Sequence, residues 1–201
     1  MTPGVMKYPS RMPRWEPDAH GRLREAAMAL FERRGYNETT VADIAKLAGL
    51  TKRTFFRYYA DKREVLFAGS EELQAALVAG VEAAPADVGP FEAAAIGLDA
   101  IAPFFEERRD FSVRRQLVID SSTELQEREL IKRERLAEAV ATALRRRGTE
   151  EPAASLAAQT AIAVFHVAFG RWVSDDHRET FLEQLHEARE TLSTFAPAPA
   201  S

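Results

Sequence analysis

The chain has 201 residues, no cysteine and a formal net charge of −4. Without cysteine there is no disulfide framework, thiolate metal site or thiol nucleophile. Purely apolar runs such as Ala161 to Phe165 are far below the ~20 residues that span a bilayer, and the N-terminus has no signal-peptide apolar core, so no membrane partner and a cytoplasmic location are expected. The charge is split along the chain. Residues 1–67 hold 13 Lys/Arg against 8 Asp/Glu, giving +5, whereas the remainder holds 14 against 23, giving −9. A basic head on an acidic body predicts a polyanionic partner at one end.

Residues 1–17 carry four prolines together with Lys7, Arg11 and Arg14 and read as a flexible basic arm. A first helix is predicted from Asp18 to Arg34, stopped by Gly35. The second opens at Thr40, whose hydroxyl suits an N-cap, and places Val41, Ile44, Ala45 and Ala48 on one face at helical spacing. Ala45 is small enough for a second helix to cross closely. Gly49 supplies a residue that takes positive φ without strain, and Leu50 plugs the turn. Thr51 then caps a third helix. Phe55 and Tyr59, four apart, point inward there, while Lys52, Arg53, Phe56 and Arg57 point outward. An aromatic and basic outer face on so short a helix suits a groove of DNA better than water, which is the layout of a helix-turn-helix.

From about Leu23 to Leu66 the sequence resembles the TetR family of bacterial transcriptional regulators. The residues that carry the likeness are Leu30-Phe31-Glu32-Arg33-Arg34-Gly35-Tyr36, Thr39-Thr40-Val41 and the run T-F-F-R-Y-Y-A-D-K ending at Lys62. The resemblance implies base-facing roles for Lys52, Arg53 and Phe56, to which the outward Arg57 is added. It implies phosphate contacts for Thr40, Thr54, Tyr58 and Lys62, and Thr51 at the helix start joins them. Phe56 stands where many members have Tyr, Tyr58 where many have His, and Tyr59 where Phe is usual. Phe56 has no hydroxyl to offer a phosphate, so contact with a thymine methyl is its expected role. The implied partner is a palindromic double-stranded operator bound by a homodimer, with repression the commoner role in the family.

Beyond the head, Asp61 is expected to cap a long helix from Lys62 to Val81 with Val65, Leu66, Leu73 and Leu77 inward, followed by a loop from Pro85 to Pro90. Next come Phe91 to Glu107, kinked or split at Pro103, and a short helix from Phe111 to Asp120. A long amphipathic helix runs from Ser122 or Thr123 to the Arg145-Arg146-Arg147-Gly148 end. The stretch from Pro152 to Trp172 is apolar in nearly every direction. Asp176 and Glu179 have capping-box spacing before a last helix carrying Phe181, Leu185, Ala188, Leu192 and Phe195. The expected fold is therefore all-α, about nine helices. A three-helix head at residues 18–67 is followed by a helical ligand-binding and dimerisation domain at residues 68–195 and a disordered tail at residues 196–201. A terminal hairpin apolar on more than one side needs a partner, and Ala161, Phe165, Phe169, Phe181, Leu185, Ala188 and Leu192 are its candidate dimer contacts.

The body's candidate effector pocket comprises Phe104, Phe105, Phe111, Arg114, Arg115, Phe165, His166, Phe169 and Arg171. For the aromatic residues ordinary core is the competing reading, for His166 a hydrogen-bonded core position, and for the arginines salt bridges with body carboxylates. The run from Arg114 to Arg128 and the Phe169-Gly170-Arg171-Trp172 helix end look like the TetR subgroup that binds acyl-CoA-like ligands, which implies a small hydrophobic or acyl-CoA-like effector. The four histidines show no metal-ligand spacing and no glycine-rich phosphate loop follows a strand pattern. No enzyme activity, metal or cofactor is expected.

Overall fold

The computed structural model describes residues 18–174 and 179–195; the expectations for the N-terminal arm, the C-terminal tail and Asp176 lie outside them. The described residues form nine α-helices and no strand. The head comprises α1 (Ala19–Arg34), α2 (Val41–Leu47) and α3 (Lys52–Tyr58). The body comprises α4 (Ser70–Ala83), α5 (Pro90–Glu106), α6 (Arg109–Asp120), α7 (Thr123–Arg146), α8 (Ala153–Ser174) and α9 (Phe181–Ser193).

Local chemistry sets the boundaries. Asp18 accepts the Gly21 N–H at 2.8 Å and starts α1, and Gly35, at φ 83°, ends it. Thr40 and Asp43 form a reciprocal capping box at α2. Thr51 accepts the Thr54 N–H at α3. At α9 the capping box is Thr180 with Glu183, four residues beyond the expected pair of Asp176 and Glu179. The α5 helix runs unbroken through Pro103.

The expected helix from Lys62 to Val81 is corrected. Residues 61–69 form turns, and α4 begins only at Ser70. The Asp61 carboxylate accepts the N–H groups of Arg63 and Glu64 at 2.8 and 3.2 Å, and Gly69 adopts the left-handed conformation at φ 88°. The inward pattern of the sequence is real but serves two cores. Val65, Leu66 and Phe67 are buried with the head, whereas Leu77 and Val81 belong to the body.

The head's core also takes in Val118 and Ile119 of α6 and Leu125 of α7, so the two parts meet over a shared apolar seam. In the body, α4 and α5 cross at Gly80 and Gly97. A Cβ on Gly97 would lie 2.7 Å from Val81 Cγ2 and 3.0 Å from the Leu77 carbonyl oxygen. Helix α8 packs against α5, α7 and α9. By length and composition it is apolar enough to cross a membrane, which the run-length reading of the sequence missed because Gln159, Thr160 and His166 interrupt it.

Candidate nucleic-acid interface and ligand cavity

Phe55 and Tyr59 anchor α3, being 0 % and 4 % exposed with ring centroids 5.4 Å apart. Burying two aromatic side chains on one side of a seven-residue helix fixes its other side outward. Thr51, Lys52, Arg53, Phe56, Arg57 and Tyr58 all lie exposed there, Phe56 at 56 %. An apolar ring this exposed costs free energy in water, and beside three cations it forms a surface matched to base edges and phosphates. Arg57 donates to the Tyr58 hydroxyl oxygen at 3.1 Å and lies over its ring, leaving the phenol proton for another acceptor.

The other phosphate candidates have existing commitments. Both donors of Thr40, the N–H and the hydroxyl, go to the Asp43 carboxylate at 3.1 and 2.6 Å. These bonds hold the Asp43 carboxyl below its usual range. The hydroxyls of Thr51 and Thr54 bond each other at 3.0 Å. Lys62 departs furthest from expectation. Its ammonium donates to the carbonyls of Tyr36, Asn37 and Thr39 at 2.7, 3.3 and 3.0 Å and lies 4.1 Å from the Tyr36 ring centroid. Partial burial pulls its pKa down. Lys62 thus braces the α1–α2 turn with all three of its donors and has none left for phosphate.

Above the head lies a cavity of about 1060 Å³. Phe104, Phe105, Phe111, Arg115, Phe165, His166 and Phe169 of the expected pocket line it. Arg114 and Arg171 do not. Arg114 pairs with Glu32 and Glu25 of α1 at 2.6 and 3.5 Å, joining body to head. Arg171 pairs with Glu187 at 2.9 Å, joining α8 to α9. The competing salt-bridge reading therefore accounts for both. His166 stands at the cavity wall, where burial and then the Arg133 charge pull its pKa down against Glu129.

Sequence reasoning missed much of the lining. Residues Leu66 to Gln74, around the start of α4, form one wall, and His20 and Arg24 of α1 reach in from the head. The only sequence signal for them was Gly69, which breaks the helix and opens that wall. Six Lys and Arg residues (Arg24, Arg108, Arg115, Lys132, Arg133 and Arg135) face four carboxylates (Glu71, Glu72, Asp120 and Glu129) around the cavity. A net positive lining inside a net negative body selects for anions.

The cavity wall is tied to the segment that carries α3. Arg115 donates to the Leu66 carbonyl at 2.7 Å and to Glu129 at 3.0 Å. Glu64 receives Arg128 at 2.6 Å and Lys132 at 3.6 Å. Arg63 reaches Glu124 of α7 at 3.3 Å.

The expected dimer contacts are corrected by burial. Ala161, Phe181 and Leu185 are at most 1 % exposed and Phe169 and Ala188 8 % exposed within one protomer. Phe165 and Leu192 pack against the same core. Phe105, Phe165, Phe169, Trp172 and Phe181 form one ring cluster, with Phe105 and Phe181 centroids 4.9 Å apart. The outward apolar stripe is instead Leu156, Ala163 and Val167 of α8 with Leu182 of α9.

Residues 23–68 match the bacterial regulatory proteins of the tetR family. Over that segment, the DNA-binding head, the chain is of tetR-family type. The transcriptional regulator TcmR of Streptomyces glaucescens is 39 % identical over 71 residues, covering 35 % of this chain and 31 % of TcmR. The chain thus spans less than a third of the length of this curated relative. Solved structures extend the match in fold to the body. FadR of Thermus thermophilus, in complex with lauroyl-CoA, has a TM-score of 0.56 at 24 % identity, over 90 % of this chain and 98 % of that one. FadR of Bacillus subtilis, in complex with stearoyl-CoA, gives 0.57 at 18 % identity, over 86 % and 97 %.

Proposed function

We propose that this TetR-family chain is a dimeric repressor that binds a palindromic operator and is released by an amphipathic anion of the acyl-CoA class. The observation that carries the reading is the exposed Lys52-Arg53-Phe56-Arg57-Tyr58 face, held outward by Phe55 and Tyr59. Arg53 and Lys52 supply hydrogen bonds to base edges and Phe56 meets thymine methyls. Arg57 completes the base-facing set, and Tyr58 donates its phenol proton to phosphate. Thr40, Thr51 and Thr54 reach phosphate by exchanging their present bonds. The basic head supplies sequence-independent attraction, and the acidic body keeps that head toward the duplex.

Two copies joined through Leu156, Ala163, Val167 and Leu182 present two α3 helices to successive major grooves, about 34 Å apart. The cavity supports the effector reading by its chemistry. Phe105, Phe165 and Phe169 suit an acyl chain, and the surplus of cations suits a phosphorylated or carboxylated head group. Two solved neighbours of this fold hold acyl-CoAs, which makes lauroyl-CoA the first ligand to try. Both partners belong to the cytoplasm.

An electrophoretic shift on DNA upstream of the chain's own coding region, followed by selection of genomic fragments, tests the DNA reading. Retention of a palindromic fragment against a thousandfold excess of random DNA is the expected outcome. Equal affinity for all fragments would overturn the operator claim.

A further inference from the structure

We infer that Arg24, a residue of the DNA-binding head, belongs to the ligand site and holds the anionic group of an amphipathic ligand whose chain lies among Phe105, Phe165 and Phe169. The inference rests on the effector reading of the cavity and goes further, because it places a ligand contact on the domain that carries α3. The cavity is bounded on one side by His20 and Arg24 of α1. The Arg24 guanidinium carbon lies 5.0 Å from the Phe111 ring centroid, so the side chain spans the seam between head and body.

Its donors distinguish it from its neighbours. The Arg24 Nε is buried and has no hydrogen-bond partner among the described residues. Arg115, by contrast, holds the Leu66 carbonyl and Glu129, and Arg108 holds the Phe104 carbonyl and Glu107. A buried guanidinium donor without an acceptor is uncommon in folded proteins, and beside a cavity the missing acceptor is a ligand oxygen. Phosphate and carboxylate both fit a planar fork of N–H donors.

The position also transmits. Arg22, two residues earlier on α1, donates to the Ala48 carbonyl in the turn between α2 and α3 at 3.1 Å. The Tyr59 hydroxyl at the end of α3 donates to the His20 carbonyl at 3.4 Å. A ligand that draws Arg24 toward the body pulls on the helix to which both ends of α3 are tied.

The test uses the full chain with lauroyl-CoA, laurate and uncharged dodecanol, measured by calorimetry on wild type and Arg24→Gln. Lauroyl-CoA affinity is expected to fall about tenfold in R24Q, as loss of a charge-assisted hydrogen bond dictates, while dodecanol binding and ligand-free operator binding stay within about twofold. A parallel loss for laurate shows that Arg24 takes either anion, carboxylate in the free acid and phosphate in the thioester, and a loss confined to lauroyl-CoA assigns it to the phosphates alone; both support the inference. Lauroyl-CoA bound equally by both proteins overturns it and leaves the effector reading standing, whereas wild type that binds neither anion overturns both. Hydrogen exchange on wild type needs no variant. Added lauroyl-CoA should protect the amides of residues 20–25 along with those of residues 104–111, and protection confined to the body would overturn the inference.

Discussion

At the scale of the residue, α3 divides between side chains that hold it and side chains that face outward. Arg53→Ala should lose about 1–3 kcal/mol of discrimination at one base pair per half-site, seen as flattened affinities across an operator series with little change in stability. Lys62→Met should behave in the opposite way. Its three carbonyl contacts make it a brace, so the head should lose about 1–2 kcal/mol by urea unfolding while the salt slope of DNA binding stays constant. Tyr59 gives a pH test. Burial pushes its phenol up to about 12, against about 10 when unfolded. Its contribution to stability is therefore complete below about pH 10 and is lost as pH rises toward 12, since the unfolded chain releases the proton more readily. Burial and the nearby Glu124 raise Tyr36 in the same sense. Urea midpoints measured from pH 9 to 11 should decline in wild type and decline less in Tyr59→Phe. The inward and outward sides of α3 were legible in the sequence because helical periodicity decides them. The fate of Lys62 was not, since its acceptors lie more than twenty residues away and backbone carbonyls leave no mark on sequence.

At the scale of the element, the segment from Asp61 to Gly69 governs how the head is hung on the body. Its apolar residues kept a helical period, which is why the sequence read as one long helix; periodicity records burial but not which core does the burying. The glycine crossing of α4 and α5 makes a closely packed pair directly after that segment. Gly97→Ala should cost about 1–3 kcal/mol by overpacking against Val81 and the Leu77 carbonyl, read as a shift in urea midpoint at unchanged slope. The cavity's aromatic wall was legible as a cluster of Phe residues. Its basic wall was not, because Arg114 and Arg171 look in sequence like Arg115, and only the partners Glu32 and Glu187 separate them.

At the scale of the whole molecule, the terminal hairpin announced a two-sided apolar character in sequence, which did not say which side meets a partner. The candidates Ala161, Phe165, Phe169, Phe181, Leu185, Ala188 and Leu192 pack within the protomer and leave Leu156, Ala163 and Val167 facing out. Val167→Asp should therefore yield a folded monomer by sedimentation, with operator affinity reduced through loss of the second half-site. Ala161→Asp should unfold the protomer, because an unpaired charge in its core costs several kcal/mol. A folded monomeric Ala161→Asp would reverse this assignment of faces. The seam shared by α1 and the cavity has a consequence for a cell with more than one target promoter. A ligand that weakens operator binding is itself weakened by the operator to the same degree. Each promoter therefore sets its own induction threshold: a weak operator is vacated at a low ligand dose and a strong one holds out to a higher dose. One regulator and one ligand would then switch on genes in an order written in the operators, with no change to the protein.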